Sequence, residues 1–115
     1  MVTAIHHVGI VVRKLGEAYR FWRDTLGLPL VREAEIADQR VRAALLAAGD
    51  SEIELLEPLG TESGMTRFLA RHGEGLHHVC FETPDIAGEL TALKNKGAEL
   101  IEPQADSSAP GQLTV

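Results

Sequence analysis

Two histidine pairs occupy equivalent places in two similar apolar segments. The first segment, IHHVGIVV, covers residues 5–12, and the second, LHHVCFET, covers residues 76–83. Both segments are short, rich in branched apolar residues, and bounded by charged or turn-forming residues, which is typical of β-strands. Imidazole is a proton carrier near neutral pH and a common metal ligand. The repeated pair is therefore the first candidate for chemistry in this chain.

Successive side chains of a strand point to opposite faces of the sheet. In the first segment His7 and Gly9 share one face, and His6 shares the other face with apolar residues. The same alternation in the second segment separates His78 from His77. We expect the apolar face to pack on an amphipathic helix, with His6 and His77 in packing or supporting roles. His7 and His78 are then predicted to point to the opposite face, away from that helix.

A third segment, SEIELL at 51–56, adds carboxylates to the same face. If Ile53 and Leu55 face the helix, Glu52 and Glu54 point with the two inward histidines. Partly buried carboxylates beside imidazoles cost several kcal/mol unless a partner compensates their charge. A divalent cation compensates it directly, and nitrogen and carboxylate oxygen are ligands for Zn, Ni, Co, Mn or Fe. These residues therefore predict a metal centre, with the choice between Glu52 and Glu54 left open.

The elements needed to position these residues occur twice. The first half has a strand at 4–12, a helix that Gly27 ends, strands at 28–36, 40–48 and 51–59, and a short helix at 65–71. The helix is predicted from a stripe of apolar residues at helical spacing, namely Leu15, Ala18, Tyr19, Trp22 and Leu26. The second half repeats a strand at 76–82 and a helix with Ile86, Leu90 and Leu93 in its stripe, stopped at Gly97. This pattern predicts an α+β fold built from a duplicated βαβββ module.

The two modules differ in length. We assign module one to residues 1–73 and module two to residues 74–115, within one domain covering residues 1–115. After its helix, module two has one further predicted strand, AELIEP, followed by the loop-like stretch QADSSAPGQLTV. Module two is therefore expected to be incomplete at its C-terminus, with two strands fewer than module one.

Composition limits the other classes of function. The chain of 115 residues is 44% hydrophobic and 24% charged, with a net charge of −6, so no basic surface for nucleic acid is expected. It has no apolar run long enough for a membrane span and no signal-peptide pattern, and its one cysteine suits a reducing compartment. The GEG at 73–75 reads as a turn, so no organic cofactor site is predicted. We expect a cytoplasmic protein.

Several segments together resemble a known superfamily. The segments IHHVGIVV, FWRDTLGLPLV, GDSEIELLEPL, FLARHGEGLHHVCFET and LKNKGAELIEP follow the order found in the vicinal oxygen chelate superfamily, and are most similar to the methylmalonyl-CoA epimerases. The resemblance implies a cupped mixed sheet of two modules with helices on its outer face. It also implies one divalent metal ion (Co, Zn, Ni or Mn) held by His7, Glu54 and His78.

The resemblance further implies an activity. A metal-dependent epimerase of this kind interconverts the two epimers of methylmalonyl-CoA through an enediolate stabilised by the cation, with an acyl-CoA as its small-molecule partner. We expect a homodimer, because an incomplete sheet leaves an edge that a second subunit can cover. Glu52 is the remaining inward carboxylate and is a candidate base.

Two positions depart from the family pattern. A fourth ligand, usually a glutamate on the last strand, is expected beyond Val115 when the spacing from His7 to Glu54 is transferred to His78. A glutamate that some epimerases use as a base is replaced by Ala43. Two alternatives therefore stay open: a glyoxalase I-type lactoylglutathione lyase, and a non-catalytic binding protein similar to the resistance proteins of the superfamily.

Overall fold

The fold of the chain was obtained as a computed structural model, which describes residues 1–99 and 111–115. It contains β-strands, α-helices and two short helices of other types. In chain order the strands are β1 (Ala4–Val11), β2 (Leu30–Ile36), β3 (Val41–Ala48), β4 (Ser51–Pro58), β5 (Gly75–Thr83) and β6 (Gly111–Thr114). The α-helices are α1 (Leu15–Tyr19), α2 (Gly64–His72) and α3 (Ile86–Asn95), with a π-helix at Arg20–Thr25 and a 3₁₀ helix at Ala37–Gln39.

The strands form one mixed six-stranded sheet in the order β2-β3-β4-β1-β5-β6. Strand β1 runs parallel to β4, while β2 with β3, β3 with β4, and β5 with β6 are antiparallel. The predicted α+β class is confirmed, as are the strands and helices predicted up to residue 97.

By its internal contacts the chain divides into two compact units. The larger unit consists of residues 7–78, and the smaller unit combines residues 1–6 with residues 79–115. The divisions fall immediately before His7 and immediately after His78, so both inward histidines and β4 belong to the larger unit.

The core of the larger unit lies between its strands and α1. Leu15 and Tyr19 of the helix are buried, and Ala18 and Trp22 pack beside them as the apolar stripe predicts. Their strand partners are Val12, Ala44, Leu46 and Leu55, with Ile10 and Ile53 at the margin. Ile10, Ile53 and Leu55 therefore take the helix-facing positions that strand alternation predicts.

The far end of the first helical segment departs from the predicted stripe. Leu26 was expected to pack with it, yet Leu26 is 51% exposed. The segment Arg20–Thr25 is wound as a π-helix, whose wider turn shifts the angular position of every residue that follows. Gly27 ends this segment as predicted, at φ 80°, a backbone conformation that favours glycine.

A polar cluster also connects α1 to the strands. The hydroxyl of Tyr19 donates a hydrogen bond to Glu33 on β2, and Arg42 Nε on β3 donates to the same carboxylate at 2.5 Å. These two donors hold the pKa of Glu33 below its usual range. Burial and the Glu33 carboxylate raise the pKa of Tyr19. The buried end of α1 is therefore anchored by a hydrogen-bonded charge as well as by apolar packing.

Helix α2 covers part of the opposite face of the same strands. Val11, Val41, Ala43 and Leu56 form a buried cluster there, against which Met65, Phe68 and Leu69 of α2 pack. The sheet face on which His7 lies was predicted to carry no helix. That prediction is wrong for the part of the face around Val11 and Leu56, where α2 packs. The reason is that α2 is itself amphipathic. Its apolar side packs on Leu56, two residues after Glu54, and on Val11, four residues after His7.

The smaller unit contains a strand where the sequence predicted a loop. Gly111–Thr114 form β6, with Phe81 opposite Leu113 and Cys80 opposite Thr114. Its short alternating sequence has little strand signal of its own, and pairing with β5 supplies the missing hydrogen bonds. Helix α3 starts at the N-cap Asp85, which accepts from the Gly88 amide, and buries Ile86 and Leu90. The predicted strand AELIEP lies mostly outside the described residues.

Among the helices of residues 1–99, none is long and apolar enough to cross a membrane.

Candidate metal centre

The pairing of β1 with β4 places the candidate residues at one level of the sheet. The two strands are parallel, with His7 opposite Glu52 and Gly9 opposite Glu54. Because the strands are adjacent and the side chains of one face alternate, Glu54 reaches the face on which His7 lies. His78, near the start of β5, completes the group.

The three predicted ligands converge on one point. The Nε2 atoms of His7 and His78 are 3.1 Å apart, and each lies 3.4 Å from Oε1 of Glu54. Two donors that each lie about 2.1 Å from a shared cation are about 3.0 Å apart at an octahedral angle and about 3.4 Å apart at a tetrahedral one. The observed triangle therefore has the dimensions of three ligands on one face of a coordinated divalent ion.

The chemistry of the donors agrees with these dimensions. Two imidazole nitrogens and one carboxylate oxygen are a common ligand set for Zn and the neighbouring transition metals. The side chains of His7, Glu54 and His78 are 12%, 17% and 14% exposed, so the site is partly closed to water. In such surroundings a carboxylate facing two imidazoles is stabilised by protons or by a cation between them. The residues present therefore fit a divalent metal.

Gly9 makes room for one of these ligands. A Cβ atom built on Gly9 would lie 2.6 Å from Nε2 of His78 and closer still to other atoms of the imidazole ring, where no side chain fits. The backbone of Gly9 has no positive φ, so the requirement is space rather than conformation. The glycine is visible in the sequence as the last residue of HHVG at 6–9. Its role could not be predicted, because it depends on the position of the His78 ring over Gly9.

His77 supports the ring of His78. The Nδ1 atoms of the two rings are 2.9 Å apart, so one of them carries the shared proton. Desolvation and the neighbouring His78 lower the pKa of His77, and Glu54 opposes this shift to a smaller extent. In the tautomer with the proton on Nδ1, His78 donates to His77, and Nε2 of His78 is unprotonated and able to bind a cation.

The ring of His77 in turn rests on α2. Its centroid lies 4.7 Å from that of Phe68, edge to face, and His72 lies 4.6 Å from Phe68 on the same helix. The support of His78 therefore runs through His77 to a helix that lies elsewhere in the sequence. The supporting role of His77 was predicted from its face of the strand, but Phe68 was not, because its contact depends on where α2 packs.

The remaining predicted residues lie nearby without joining the triangle. Glu52 is partly buried on β4, two residues before Glu54, and is not among the described residues whose ligand atoms converge. Its role as a base stays a prediction. Ala43, which replaces a glutamate of some epimerases, is buried against Leu56 in the α2-facing cluster.

Comparisons with known proteins show which family the chain belongs to. Residues 6–113 match the profile of the glyoxalase/bleomycin resistance protein/dioxygenase superfamily. The uncharacterized protein YqjC of Bacillus subtilis is 34% identical over 98 residues, which make up 85% of this chain and 70% of that protein. The mitochondrial methylmalonyl-CoA epimerase of Mus musculus is 32% identical over 109 residues, or 94% of this chain. The present chain spans 61% of the length of the mouse protein.

A solved structure shows the same fold. A variant of Streptomyces coelicolor methylmalonyl-CoA epimerase in complex with 2-nitronate-propionyl-CoA aligns with a TM-score of 0.81 at 26% sequence identity. The alignment covers 99% of this chain and 94% of that one. The chain is thus related to methylmalonyl-CoA epimerases, and it belongs to the glyoxalase/bleomycin resistance protein/dioxygenase superfamily.

Proposed function

We propose that this protein is a metal-dependent epimerase that interconverts the two epimers of methylmalonyl-CoA. The observation that carries the proposal is the triangle of His7, Glu54 and His78, with Nε2 and Oε1 atoms 3.1 to 3.4 Å apart. The related epimerases, one of them solved with an acyl-CoA analogue, support the choice of substrate.

The reaction needs a proton to leave the carbon between the thioester and the carboxylate and to return on the other face. A divalent cation, when bound, supplies Lewis-acid polarisation of a carbonyl oxygen and neutralises the charge that develops there. His7, Glu54 and His78 are the residues that would hold it. Their low exposure excludes much of the surrounding water and so strengthens the electrostatic interactions of the site.

The protein must also move the proton. Glu52 is the candidate base, because it lies on β4 opposite His7 in the strand register and is a partly buried carboxylate close to the ligands. A general base of this kind contributes about 10²- to 10⁴-fold to a proton transfer. In this proposal Glu52→Gln leaves metal content unchanged and slows the proton transfer.

The experiment that tests the proposed function follows exchange of the α-proton of methylmalonyl-CoA in deuterated buffer by proton NMR. We expect rapid exchange with metal-loaded protein, none with protein treated with a chelator, and little with the metal salt alone. A coupled assay for the opposite epimer should give interconversion at a similar rate. Exchange no faster than with the metal salt would contradict the proposal and leave small-molecule binding without turnover as the alternative.

A homodimer and a cytoplasmic location are part of the same proposal. Strand β2 is at the end of the strand order, and its apolar residues Leu30 and Val31 are 37% and 59% exposed. A second copy that covers this edge would pair the outer side of β2 and bury those residues. Sedimentation equilibrium should give twice the chain mass, and Val31→Lys should shift the species toward the monomer. Sedimentation at the chain mass for the unaltered protein would contradict the dimer.

A further inference from the structure

A second feature of the larger unit is a groove along α2. It has a volume of about 590 Å³ and is lined by Gly64, Arg67, Phe68, Ala70, Arg71 and His72. Gly64 and Ala70 contribute no long side chains, so the groove is walled mainly by two arginines and two rings. The proposed chemistry at the metal centre makes no use of these arginines.

The groove carries positive charge that no carboxylate among the described residues compensates. Arg67 and Arg71 are four residues apart and lie on the same side of α2, where like charges repel each other. Arg67 donates to the carbonyl oxygen of Glu62 at 3.3 Å. Within residues 1–99 and 111–115, neither guanidinium forms an ion pair with a carboxylate. In a chain with a net charge of −6, such a pair of free cations favours an anionic ligand.

The nearest carboxylate after α2 is already engaged elsewhere. Glu74 accepts a hydrogen bond from the backbone amide of Arg13 at 2.7 Å and lies 3.9 Å from the guanidinium of the same residue. It is therefore directed toward the start of the first helical segment rather than toward Arg71. An anion entering the groove meets the two arginines without displacing a carboxylate of residues 1–99 or 111–115.

The groove adjoins the candidate metal centre. Phe68 lines the groove, and the centroid of its ring lies 4.7 Å from that of His77. His77 Nδ1 in turn lies 2.9 Å from Nδ1 of His78. One aromatic side chain and one histidine thus separate the arginines from a predicted metal ligand. A ligand long enough to occupy both places would place one end at the triangle and an anionic end on α2.

We propose that this groove binds the phosphate groups of the coenzyme A portion of the substrate, an inference that rests on the proposed function. Guanidinium groups pair with phosphate oxygens through two parallel hydrogen bonds, which a lysine cannot do. Arg67 and Arg71 together present two such groups on one turn of a helix. The groove therefore holds the phosphate end of the substrate and leaves the acyl end to the metal centre.

The test compares a full-length substrate with a truncated one. In the double variant Arg67→Gln/Arg71→Gln, KM for methylmalonyl-CoA should rise at least about 10-fold per arginine, as expected for the loss of charge-assisted hydrogen bonds. The value of kcat/KM for the N-acetylcysteamine thioester of methylmalonate, which lacks phosphate, should stay unchanged. Arg20→Gln, an exposed arginine of the π-helix, is the matched control and should leave both substrates unaffected. Equal KM values in the double variant and the unaltered protein would overturn the inference.

A binding measurement separates this inference from the proposed function. Propionyl-CoA carries the same phosphates but cannot be epimerised, and its binding can be followed by calorimetry. If the unaltered protein binds it and the double variant binds at least about 10-fold more weakly, the groove is supported, even where no variant catalyses exchange. Equal affinity of the two proteins would overturn the groove whatever the activity. Circular dichroism and melting temperature should be unchanged, because both arginines are exposed.

Discussion

Strands β1 and β5 carry the same histidine-pair sequence, yet their neighbours differ. Beside β1 runs the parallel strand β4, which places Glu54 opposite Gly9. Beside β5 runs the antiparallel strand β6, which places Thr114 opposite Cys80, the residue equivalent to Gly9. The hydroxyl of Thr114 lies 3.7 Å from Cys80 Sγ, and Cys80 is buried. Equivalent positions of the repeat thus have different partners: Gly9 lies opposite the carboxylate-bearing Glu54, and Cys80 lies opposite the uncharged Thr114.

The comparison shows that the histidine pairs alone do not make the site. In the larger unit a glycine leaves space for His78 and a carboxylate faces both inward histidines, so the group can hold a cation. The equivalent place in the smaller unit is filled by the side chains of Cys80 and Gln112, 3.7 Å apart. The contacts available to each repeat therefore depend on the strand that pairs with it.

The largest effect is expected from replacing His7, and not His6, of the first histidine pair. His7→Ala removes a predicted ligand and should slow metal-dependent α-proton exchange at least about 100-fold, the upper end of what loss of a mere supporting residue costs. His6, whose Nε2 lies 3.2 Å from Nε2 of Gln112 in the smaller unit, is the matched control. Exchange measured by NMR should stay within about twofold in His6→Ala. Equal losses in both variants would contradict the division of roles.

The next largest effect is expected from replacing Gly9 with alanine, with its counterpart in the repeat, Cys80, as the control. Gly9→Ala forces the ring of His78 to move, so metal affinity should fall about 10- to 100-fold and the free energy of unfolding should fall by about 1 to 3 kcal/mol. Cys80→Ala leaves the metal ligands in place and should cost about 1 kcal/mol of stability with metal affinity unchanged. Metal titration and urea denaturation measure the two quantities. An unchanged metal affinity in Gly9→Ala would contradict the role given to this glycine.

A smaller effect is expected at the support of His78. His77→Phe keeps a ring against Phe68 but removes the acceptor for Nδ1 of His78, so metal affinity should fall about 10-fold. His72→Phe, on the other side of Phe68, is the control and should leave metal affinity unchanged. Calorimetric titration with the metal salt distinguishes the two variants. If both variants bind metal as the unaltered protein does, His77 has only a packing role.

The smallest effect concerns the helices of the two halves. Tyr19 hydrogen-bonds Glu33, whereas Leu90, its counterpart in the repeat, is simply buried. Tyr19→Phe should lower the free energy of unfolding by at most about 1 kcal/mol, because the carboxylate keeps its contact with Arg42.

That loss should depend on pH. The pKa of Glu33 is lower in the folded protein than its usual value, so its stabilising effect is complete above about pH 4.3 and disappears as the pH falls through the lower, folded value. The stability difference between the unaltered protein and Tyr19→Phe should therefore be constant at neutral pH and shrink in acid. Urea denaturation at several pH values measures it, and a difference that grows below pH 4 would contradict the assignment.

Strand alternation and helical spacing predicted most of the fold and the inward direction of His7 and His78, because both signals are local. The choice of Glu54 over Glu52 came from the family resemblance, and the convergence of its Oε1 with the two Nε2 atoms agrees with it. The contact of Phe68 with His77 and the pairing of β6 were not predicted. Both depend on which distant segments meet, and periodicity within one segment carries no such information.

Metal content is the most direct test of whether His7, Glu54 and His78 hold a divalent ion. The protein is purified without chelator, dialysed against a low concentration of cobalt or zinc salt, and its metal is measured by elemental analysis beside His7→Ala, His78→Ala and His6→Ala. We expect about one divalent ion per chain in the unaltered protein and in His6→Ala, and almost none in the two ligand variants. Metal content that is negligible in the unaltered protein, or equal in all four proteins, would contradict this expectation.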